Sequence, residues 1–238
     1  LAPIAARLLR ERGGGEVPHD DLVFLNGYAR PGSVSGSVQV SLADVCDAAY
    51  LGQVQLAATG FYRTPDITYD RKAGRGKPFH YFSHGVAICE VELDGLTGMK
   101  KVRRVDILHD VGDSLNPSID RGQIEGAFVQ GMGWLCSEEL RFGDDGRLLT
   151  HSASTYQIPT VFDAPDEINV ALLTDAPEHS VVHGSKAVGE PPLMLAIAVR
   201  EALRDAVAAF GGSGPVLLPS PLTHEALWHA VQARRDAP

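Results

Sequence analysis

The chain has 238 residues, a formal net charge of −9 at pH 7 and 44% hydrophobic residues. This length suits one large domain or two small ones and can bury a substantial core, and the composition is typical of a globular protein and not of a disordered one. The acidic balance and the lack of any Lys/Arg-rich block exclude a general nucleic-acid binder.

Three cysteines are widely spaced along the chain: Cys46, Cys89 and Cys136. An odd number without a CxxC pair indicates reduced thiols and a cytoplasmic location, and it disfavours a disulfide framework or a zinc site. No segment resembles a signal peptide or reaches the roughly 20 apolar residues that span a bilayer, so we expect no membrane partner. The first residue is Leu1, which predicts a processed start or a piece of a longer protein.

The first part of the chain predicts two helices and a strand. Apolar residues recur at helical spacing over residues 2–12, and arginines lie on the opposite face. Ser41 is followed three residues later by an acidic residue, a relative of the capping box, which predicts a helix over 41–52. Residues 53–62 follow as a predicted strand.

The clearest predicted hairpin covers residues 85–110, because alternating and β-branched residues flank the turn "DGLTG". Its charged residues, with Glu90 and Glu92 opposite Lys101 and Arg103, fit a surface ladder better than a site. Further predicted elements are a small hairpin around 143–146, a strand at 167–175 and a helix at 224–235. Strands and helices thus interleave without a Rossmann unit. This pattern predicts an α+β fold with mixed or antiparallel sheets packed against helices.

Residues 114–140 predict a helix that is unusually rich in glycine. Its four glycines are Gly122, Gly126, Gly131 and Gly133. Each costs a helix interior roughly 1 kcal/mol relative to alanine, which is tolerated where something approaches the backbone closely. Gln123 and Gln130 lie beside two of these glycines, and an amide can donate and accept hydrogen bonds to a heterocycle or a phosphate-bearing cofactor. Close packing between elements, with incidental glutamines, is the alternative.

Residues 184–203 place one carboxylate, Glu190, in front of two prolines and an apolar run. Pro191 disfavours the α region for Glu190, and Pro192 suits the first turn of a helix. The helix that follows is apolar nearly all round in its first half, so we expect its start to be buried. A carboxylate held there could serve as a general base or as a helix cap, although caps are more commonly Ser, Thr, Asp or Asn.

The sequence gives weaker support for other candidate site residues. His80 and His84, and likewise His179 and His183, are four residues apart, but neither pair lies in a convincing helix with an acidic neighbour. We therefore expect no direct metal ligand. Lys186 could be a catalytic amine, but a loop lysine more often binds water or a carboxylate.

Several stretches together resemble the molybdenum-binding subunit of the xanthine dehydrogenase and aldehyde oxidase family. The matching stretches are "DVGDSLNPSIDRGQIEGAFVQGMGWL", "SKAVGEPPLMLA", "PFHYFSHGVAICEVELDGLTG" and "STYQIP". They occur in the family's order, and the resemblance as a whole covers about residues 41–210. The Gly/Ser-rich residues 30–37 look like a local variation, and little resemblance remains beyond 211. "TGFYRTPDITYD" is similar to the xanthine dehydrogenases within the family.

The resemblance implies roles for particular residues. Glu190 is the implied general base, and Gln123, Gly122 and Gly189 are implied to bind the molybdopterin cofactor. The implied reaction oxidises hypoxanthine or xanthine to urate, by hydroxylation of an electron-poor carbon with oxygen from water. An aldehyde or another N-heterocycle is the alternative substrate, and a non-catalytic scaffold or interface domain is the alternative role of the isolated fragment.

The resemblance also implies what lies outside this chain. The chain resembles the C-terminal portion of the molybdopterin-binding domain, divided into an N-terminal segment (1–84), a cofactor-binding subdomain with the catalytic glutamate (85–210) and a tail with a short helix (211–238). The family's loops that bind most of the cofactor, and its residues that bind a purine, have no counterpart in this chain. Since the chain lacks Cys clusters and nucleotide loops, the implied 2Fe-2S clusters and FAD belong to a partner subunit or to upstream residues. NAD is the implied electron acceptor, and the family suggests a dimer of catalytic halves.

Overall fold

A computed structural model of the chain describes residues 1–33 and 38–236. It contains two compact units, Leu1–Arg63 and Thr64–Pro238. Helices accompany antiparallel and mixed sheets, which confirms the predicted α+β class. Part of the predicted Gly/Ser-rich variation, residues 34–37, lies outside the described residues.

The unit boundary at Arg63 differs from the predicted segment boundary at 84/85. The tail from 211 onward belongs to the second unit, in which its helix packs against the helix before it. The three-part division of the chain by sequence stays a prediction about the family's organisation.

The first unit packs two helices against a small antiparallel sheet. Its elements are α1 (Ala2–Glu11), β1 (Leu22–Leu25), β2 (Tyr28–Pro31), β3 (Val40–Ser41) and α2 (Leu42–Leu51). Both predicted helices are confirmed. Strands β1 and β2 form a hairpin through Asn26 and Gly27, which both have positive φ, as a two-residue turn requires. The core contains Ala5, Leu9, Ala29, Val40 and Val45.

Ser41 caps helix α2, as its position in the sequence predicts. Its Oγ accepts a hydrogen bond of 3.0 Å from the backbone N–H of Asp44. Hydrogen bonding with Ser41, and then with Arg12, lowers the pKa of the Asp44 carboxyl. The cap satisfies one of the N–H groups that a helix start leaves without an intrahelical partner.

We expect Ser41→Ala to lower the free energy of unfolding by about 1 kcal/mol, because that N–H loses its acceptor. Urea denaturation measures the change. Ser41→Asp is the matched control, since it keeps an oxygen acceptor and should retain most of the stability. Equal stability of the alanine variant and the parent chain would show that the cap contributes nothing.

The predicted strand at 53–62 is wrong. These residues form no regular structure, every one of them is exposed, and Gln53 has a φ of 55°. Alternating apolar residues favour a strand only where a neighbouring strand satisfies their backbone groups. No strand in the described part of the chain pairs with this segment.

The second unit contains a three-stranded mixed sheet with helices on one face. Its elements are β4 (Thr68–Asp70), β5 (Arg75–Lys77), β6 (Gly85–Leu93), β7 (Lys100–His109), α3 (Pro117–Cys136), β8 (Glu167–Leu172), 3₁₀ turns at Val182–Gly184 and Pro191–Ala196, α4 (Ile197–Ala208) and α5 (His224–Asp236). β4 and β5 form a separate hairpin. No helix among the described residues is both long and apolar enough to cross a bilayer.

The predicted hairpin at 85–110 is confirmed as β6 and β7, which pair antiparallel. Asp94 closes the turn: its carboxylate accepts hydrogen bonds from Leu96 N at 2.8 Å and from Thr97 Oγ1 at 2.7 Å. Gly98 follows with a φ of 75°, a conformation that favours glycine. The predicted strand near 167 and the predicted helix near 224 are confirmed as β8 and α5, whereas the "GDDG" turn supports only a single bridge between Phe142 and Leu148.

A β-bulge changes the predicted charge ladder. The register shifts between Glu90 and Val91, so Arg103 is the extra residue on β7 and Glu90 lies opposite Arg104. The Arg103 Nε donates to Glu92 at 2.7 Å, and its Nη1 donates to Asp166 at 2.8 Å. This network is exposed and remains a surface feature.

The core of the second unit lies between the sheet and the helices α3 and α4. β8 joins β7 in parallel, so the sheet is mixed. Alternate residues of the strands point to the helices, as the period of two in β-structure requires. The core includes Val105, Ile107, Ile124, Phe128, Val199 and Leu203. Helix α3 is thereby fixed against the sheet, with its first turns close to the candidate site.

Candidate active site

The four glycines of α3 fall into two pairs with different surroundings. A Cβ on Gly131 would lie 2.5 Å from Leu193 O and 2.6 Å from the Cβ of Ala196, so glycine allows the 3₁₀ turn Pro191–Ala196 to lie directly on the helix. A Cβ on Gly133 would collide with Glu138 and Pro159. At these two positions the alternative of close packing is confirmed.

Gly122 and Gly126, which lie nearer the start of α3, face open space. A Cβ on either would meet no atom within 4 Å in the described part of the chain. Both glycines are exposed, and so is Gln123. The helix begins at Pro117, where the Asn116 side chain accepts a hydrogen bond of 3.3 Å from Ile119 N. The cost of these two glycines in a helix interior therefore has no packing reason among the described residues.

The loop before Glu190 is bound to the end of β7 by backbone hydrogen bonds. Gly112 pairs with Ser185 as an antiparallel bridge. Asp113 N donates to Gly184 O at 2.9 Å, and Lys186 N donates to Val111 O at 2.8 Å. Gly112 has a φ of 62°, and a Cβ there would collide with the Gly184 carbonyl. Only a glycine allows this close approach of two backbones.

Lys186 forms an ion pair with Asp110 beneath this loop. The Lys186 Nζ lies 2.6 Å from Asp110 Oδ2, and the two side chains are 10% and 5% exposed. Burial acts to raise the pKa of Asp110, but the hydrogen bonds from Lys186 and from the Gly112 amide outweigh it and the pKa is lowered. The expectation that Lys186 binds a carboxylate is confirmed.

The backbone conformation and the exposure of Glu190 both differ from the prediction. Its φ of −102° and ψ of −39° lie in the α region, despite the proline that follows. A 3₁₀ hydrogen bond of 3.1 Å from Leu193 N to Glu190 O closes the turn and outweighs the bias against this conformation. Glu190 is also exposed and not buried, because no described element packs over the start of the turn. Its side chain makes no capping hydrogen bond, which contradicts the helix-cap alternative.

The structure brings Gln123 and Gly189 together. A Cβ on Gly189 would lie 3.8 Å from Gln123 Oε1 and would meet no other atom within 4 Å among the described residues. Gly122 precedes Gln123 on the helix, and Glu190 follows Gly189 in the loop. All four predicted site residues thus belong to α3 and the adjoining loop, which are packed together through Gly131.

The histidine pairs form no metal centre in the part of the chain that the structure describes, where no group of three or more His, Cys, Asp or Glu residues could hold a metal ion. His84 is exposed and its Nδ1 lies 3.8 Å from Asp110 Oδ2, while His183 has a φ of 57° in a 3₁₀ turn. Cys46, Cys89 and Cys136 are free, and burial, with Asp106 nearby, raises the pKa of Cys89 to about 12.

Sequence reasoning did not identify Asp110 and Tyr81 as parts of this region. Asp110 directly follows β7, and Tyr81 precedes β6. The Tyr81 hydroxyl accepts a hydrogen bond of 2.9 Å from Ala187 N. Both residues lie far from Glu190 in sequence. A buried aspartate directly after a strand was the available signal, because such a residue requires a partner for its charge.

Comparison with known proteins finds relatives of this chain. The "Xanthine dehydrogenase/oxidase" of Felis catus is 52% identical over 175 residues, which cover 74% of this chain and 13% of that protein. The protein of the same description from Gallus gallus is 50% identical over 194 residues, which cover 80% of this chain and 14% of that protein. The crystal structure of quinoline 2-oxidoreductase from Pseudomonas putida 86 has a TM-score of 0.61 at 26% identity, with 98% of this chain and 28% of that chain covered.

The family described as "Molybdopterin cofactor-binding domain" matches residues 2–165. The chain therefore belongs to the molybdopterin cofactor-binding domain family. The predicted resemblance to xanthine dehydrogenases is confirmed by identity of about one half over most of the chain. The chain spans 13% and 14% of the length of the two relatives above.

Proposed function

We propose that this chain is part of a molybdenum hydroxylase that oxidises hypoxanthine and xanthine to urate. The observation that carries the proposal is the juxtaposition of Gln123 with Gly189, next to Glu190, in a chain of the molybdopterin cofactor-binding family. The relatives described as xanthine dehydrogenase/oxidase support a purine substrate.

The open surface around Gln123 fits a molybdopterin cofactor. Gly122 and Gly189 have no side chain to hold a ligand away from the backbone, and the Gln123 amide can donate and accept hydrogen bonds to the heterocycle. Gln123, Gly122 and Gly189 are the residues of this chain that we propose to hold the cofactor. When bound, the cofactor supplies a two-electron redox centre.

We assign Glu190 the role of general base. Glu190 directly follows Gly189, and its carboxylate is exposed and makes no capping hydrogen bond. It can therefore take a proton from the water-derived hydroxyl group whose oxygen becomes bonded to the purine carbon. A carboxylate placed within hydrogen-bond reach of that proton accelerates the attack.

The proposal includes partners outside this chain. 2Fe-2S clusters and FAD, on a partner subunit or elsewhere in the same polypeptide, would carry the two electrons released by the oxidation to NAD. We further propose a cytoplasmic enzyme that forms a dimer of catalytic halves. This chain spans 13% and 14% of two relatives, so a complete enzyme of their length has room for domains that hold these groups.

The test is oxidation of xanthine in ¹⁸O-labelled water by the complete enzyme that carries this chain. We expect urate in which the newly introduced oxygen is labelled over many turnovers, since the hydroxylation draws its oxygen from water. Quinoline and an aromatic aldehyde are the comparison substrates, and we expect lower kcat/KM for both. Faster oxidation of quinoline or of the aldehyde would reject the purine assignment but keep the hydroxylase, and unlabelled urate would reject the hydroxylation chemistry.

A further inference from the structure

The ion pair between Lys186 and Asp110 is the most deeply buried ion pair among the described residues, with side chains 10% and 5% exposed. Other pairs, such as Arg12 with Asp44 or Arg103 with Glu92, lie on the surface. Two charges are removed from water only at a considerable cost, so a buried pair requires good geometry and further hydrogen bonds. The 2.6 Å separation of Lys186 Nζ and Asp110 Oδ2 meets the first requirement.

Further hydrogen bonds tie this pair to three segments of the chain. The Lys186 Nζ also donates to Phe82 O at 3.0 Å. Asp110 Oδ1 accepts from Gly112 N at 2.9 Å, and Asp110 N donates to His84 O at 2.8 Å. The pair thus joins the segment before β6, the end of β7 and the loop that leads to Glu190.

Glu190 depends on its backbone for its position. Within the described residues its carboxylate has no hydrogen-bond or ion-pair partner, so side-chain contacts do not orient it. On the C-terminal side, the 3₁₀ turn Pro191–Ala196 lies on α3 at Gly131. On the N-terminal side, Lys186 is the last charged residue before Glu190, and Val188 between them packs against the core of the unit.

We infer that Lys186 and Asp110 are positioning residues for Glu190: their buried ion pair anchors the loop 184–190 so that the base and Gly189 face Gln123. This inference rests on the proposed role of Glu190. Neither residue contacts Glu190 directly, and each acts through the backbone between Lys186 and Glu190. Tyr81 supports the same loop through its hydroxyl, which accepts the hydrogen bond from Ala187 N.

Two variants can distinguish the contribution of this ion pair to stability from its contribution to turnover. Lys186→Met removes the amine and leaves the Asp110 charge buried without its partner, which should destabilise the fold and release the loop. The double variant Lys186→Met/Asp110→Asn removes both charges, while the Asn oxygen can still accept the Gly112 N–H. We expect the double variant to recover most of the unfolding temperature, whereas the loop remains without its anchor.

The experiment measures turnover per bound molybdenum in the complete enzyme, with unfolding temperature and amide hydrogen exchange of residues 184–190 measured alongside. Both variants should lose kcat by roughly 10- to 100-fold, since small misplacements of a catalytic group have effects of that size. KM should stay within about twofold, because uniform binding of the substrate is retained. Exchange in 184–190 should accelerate in both variants. Arg12→Met/Asp44→Asn removes a surface pair with a similar separation of 2.8 Å and should change neither turnover per molybdenum nor exchange in residues 184–190.

Three outcomes would overturn the inference. If kcat per molybdenum returns to the parent value in the double variant together with the unfolding temperature, the pair has only a structural role. If Glu190→Gln is slow but Lys186→Met is normal, the positioning role fails and the base assignment stands. Normal turnover of Glu190→Gln would reject the base assignment, and with it the positioning role, whatever the Lys186 variants do.

Discussion

Glu190→Gln should lower turnover by at least about 100-fold in the complete enzyme, with its molybdenum content unchanged, because a general base contributes on that scale. Glutamine has nearly the same size as glutamate but cannot take the proton. Since Glu190 is exposed and makes no capping hydrogen bond, its replacement should leave the unfolding temperature unchanged. Steady-state turnover of xanthine, normalised to bound molybdenum, measures the effect.

Glu90→Gln is the matched control for this substitution. Glu90 is an exposed glutamate on β6 and lies in the same unit, opposite Arg104 and away from the candidate site. We expect parent turnover from this variant. Near-parent turnover of Glu190→Gln would reject the general-base assignment, while loss of molybdenum from that variant would indicate that Glu190 serves to hold the cofactor.

Gly131→Ala should lower the free energy of unfolding by about 1–3 kcal/mol, the usual range for overpacking a tight contact. The added methyl group would lie 2.5 Å from the Leu193 carbonyl oxygen and 2.6 Å from Ala196, so α3 and the 3₁₀ turn must separate. The greater helix propensity of alanine offsets only part of this cost. Urea denaturation of the 238-residue chain measures the change.

Gly126→Ala is the internal control, because it makes the same substitution in the same helix with the opposite expected sign. A Cβ at Gly126 meets no atom within 4 Å in the described part of the chain, so alanine should raise the free energy of unfolding by about 0.5–1 kcal/mol. Equal effects of the two substitutions would mean that the contact between α3 and the 3₁₀ turn does not form.

These two glycines illustrate how far sequence reasoning reaches. The sequence predicts a glycine-rich helix, and α3 confirms it at Pro117–Cys136. It cannot say which glycines serve close packing and which leave an open surface, because both kinds carry the same local signal. Only the position of the turn at Leu193 and Ala196 separates Gly131 from Gly126.

The two predictions that the structure contradicts, a strand at 53–62 and a non-helical conformation at Glu190, have a similar explanation. Residues 53–62 alternate as a strand does, yet they form none, because pairing depends on a partner strand elsewhere in the chain. Glu190 precedes a proline, yet it adopts the α region because the hydrogen bond from Leu193 outweighs the local preference. In both cases a local rule states a bias, and contacts that the rule does not include decide the conformation.

The sequence by itself determined the α+β class, the hairpin of β6 and β7, the helices and the family, since each follows from local periodicity, turn residues or ordered motifs. It also singled out Gln123 and Glu190. Only the tertiary structure placed Gln123 beside Gly189, exposed Glu190 and joined Lys186 to Asp110 at 2.6 Å. The physical reason is that these contacts are made between residues distant in sequence, and their geometry depends on how α3, the sheet and the loop pack together.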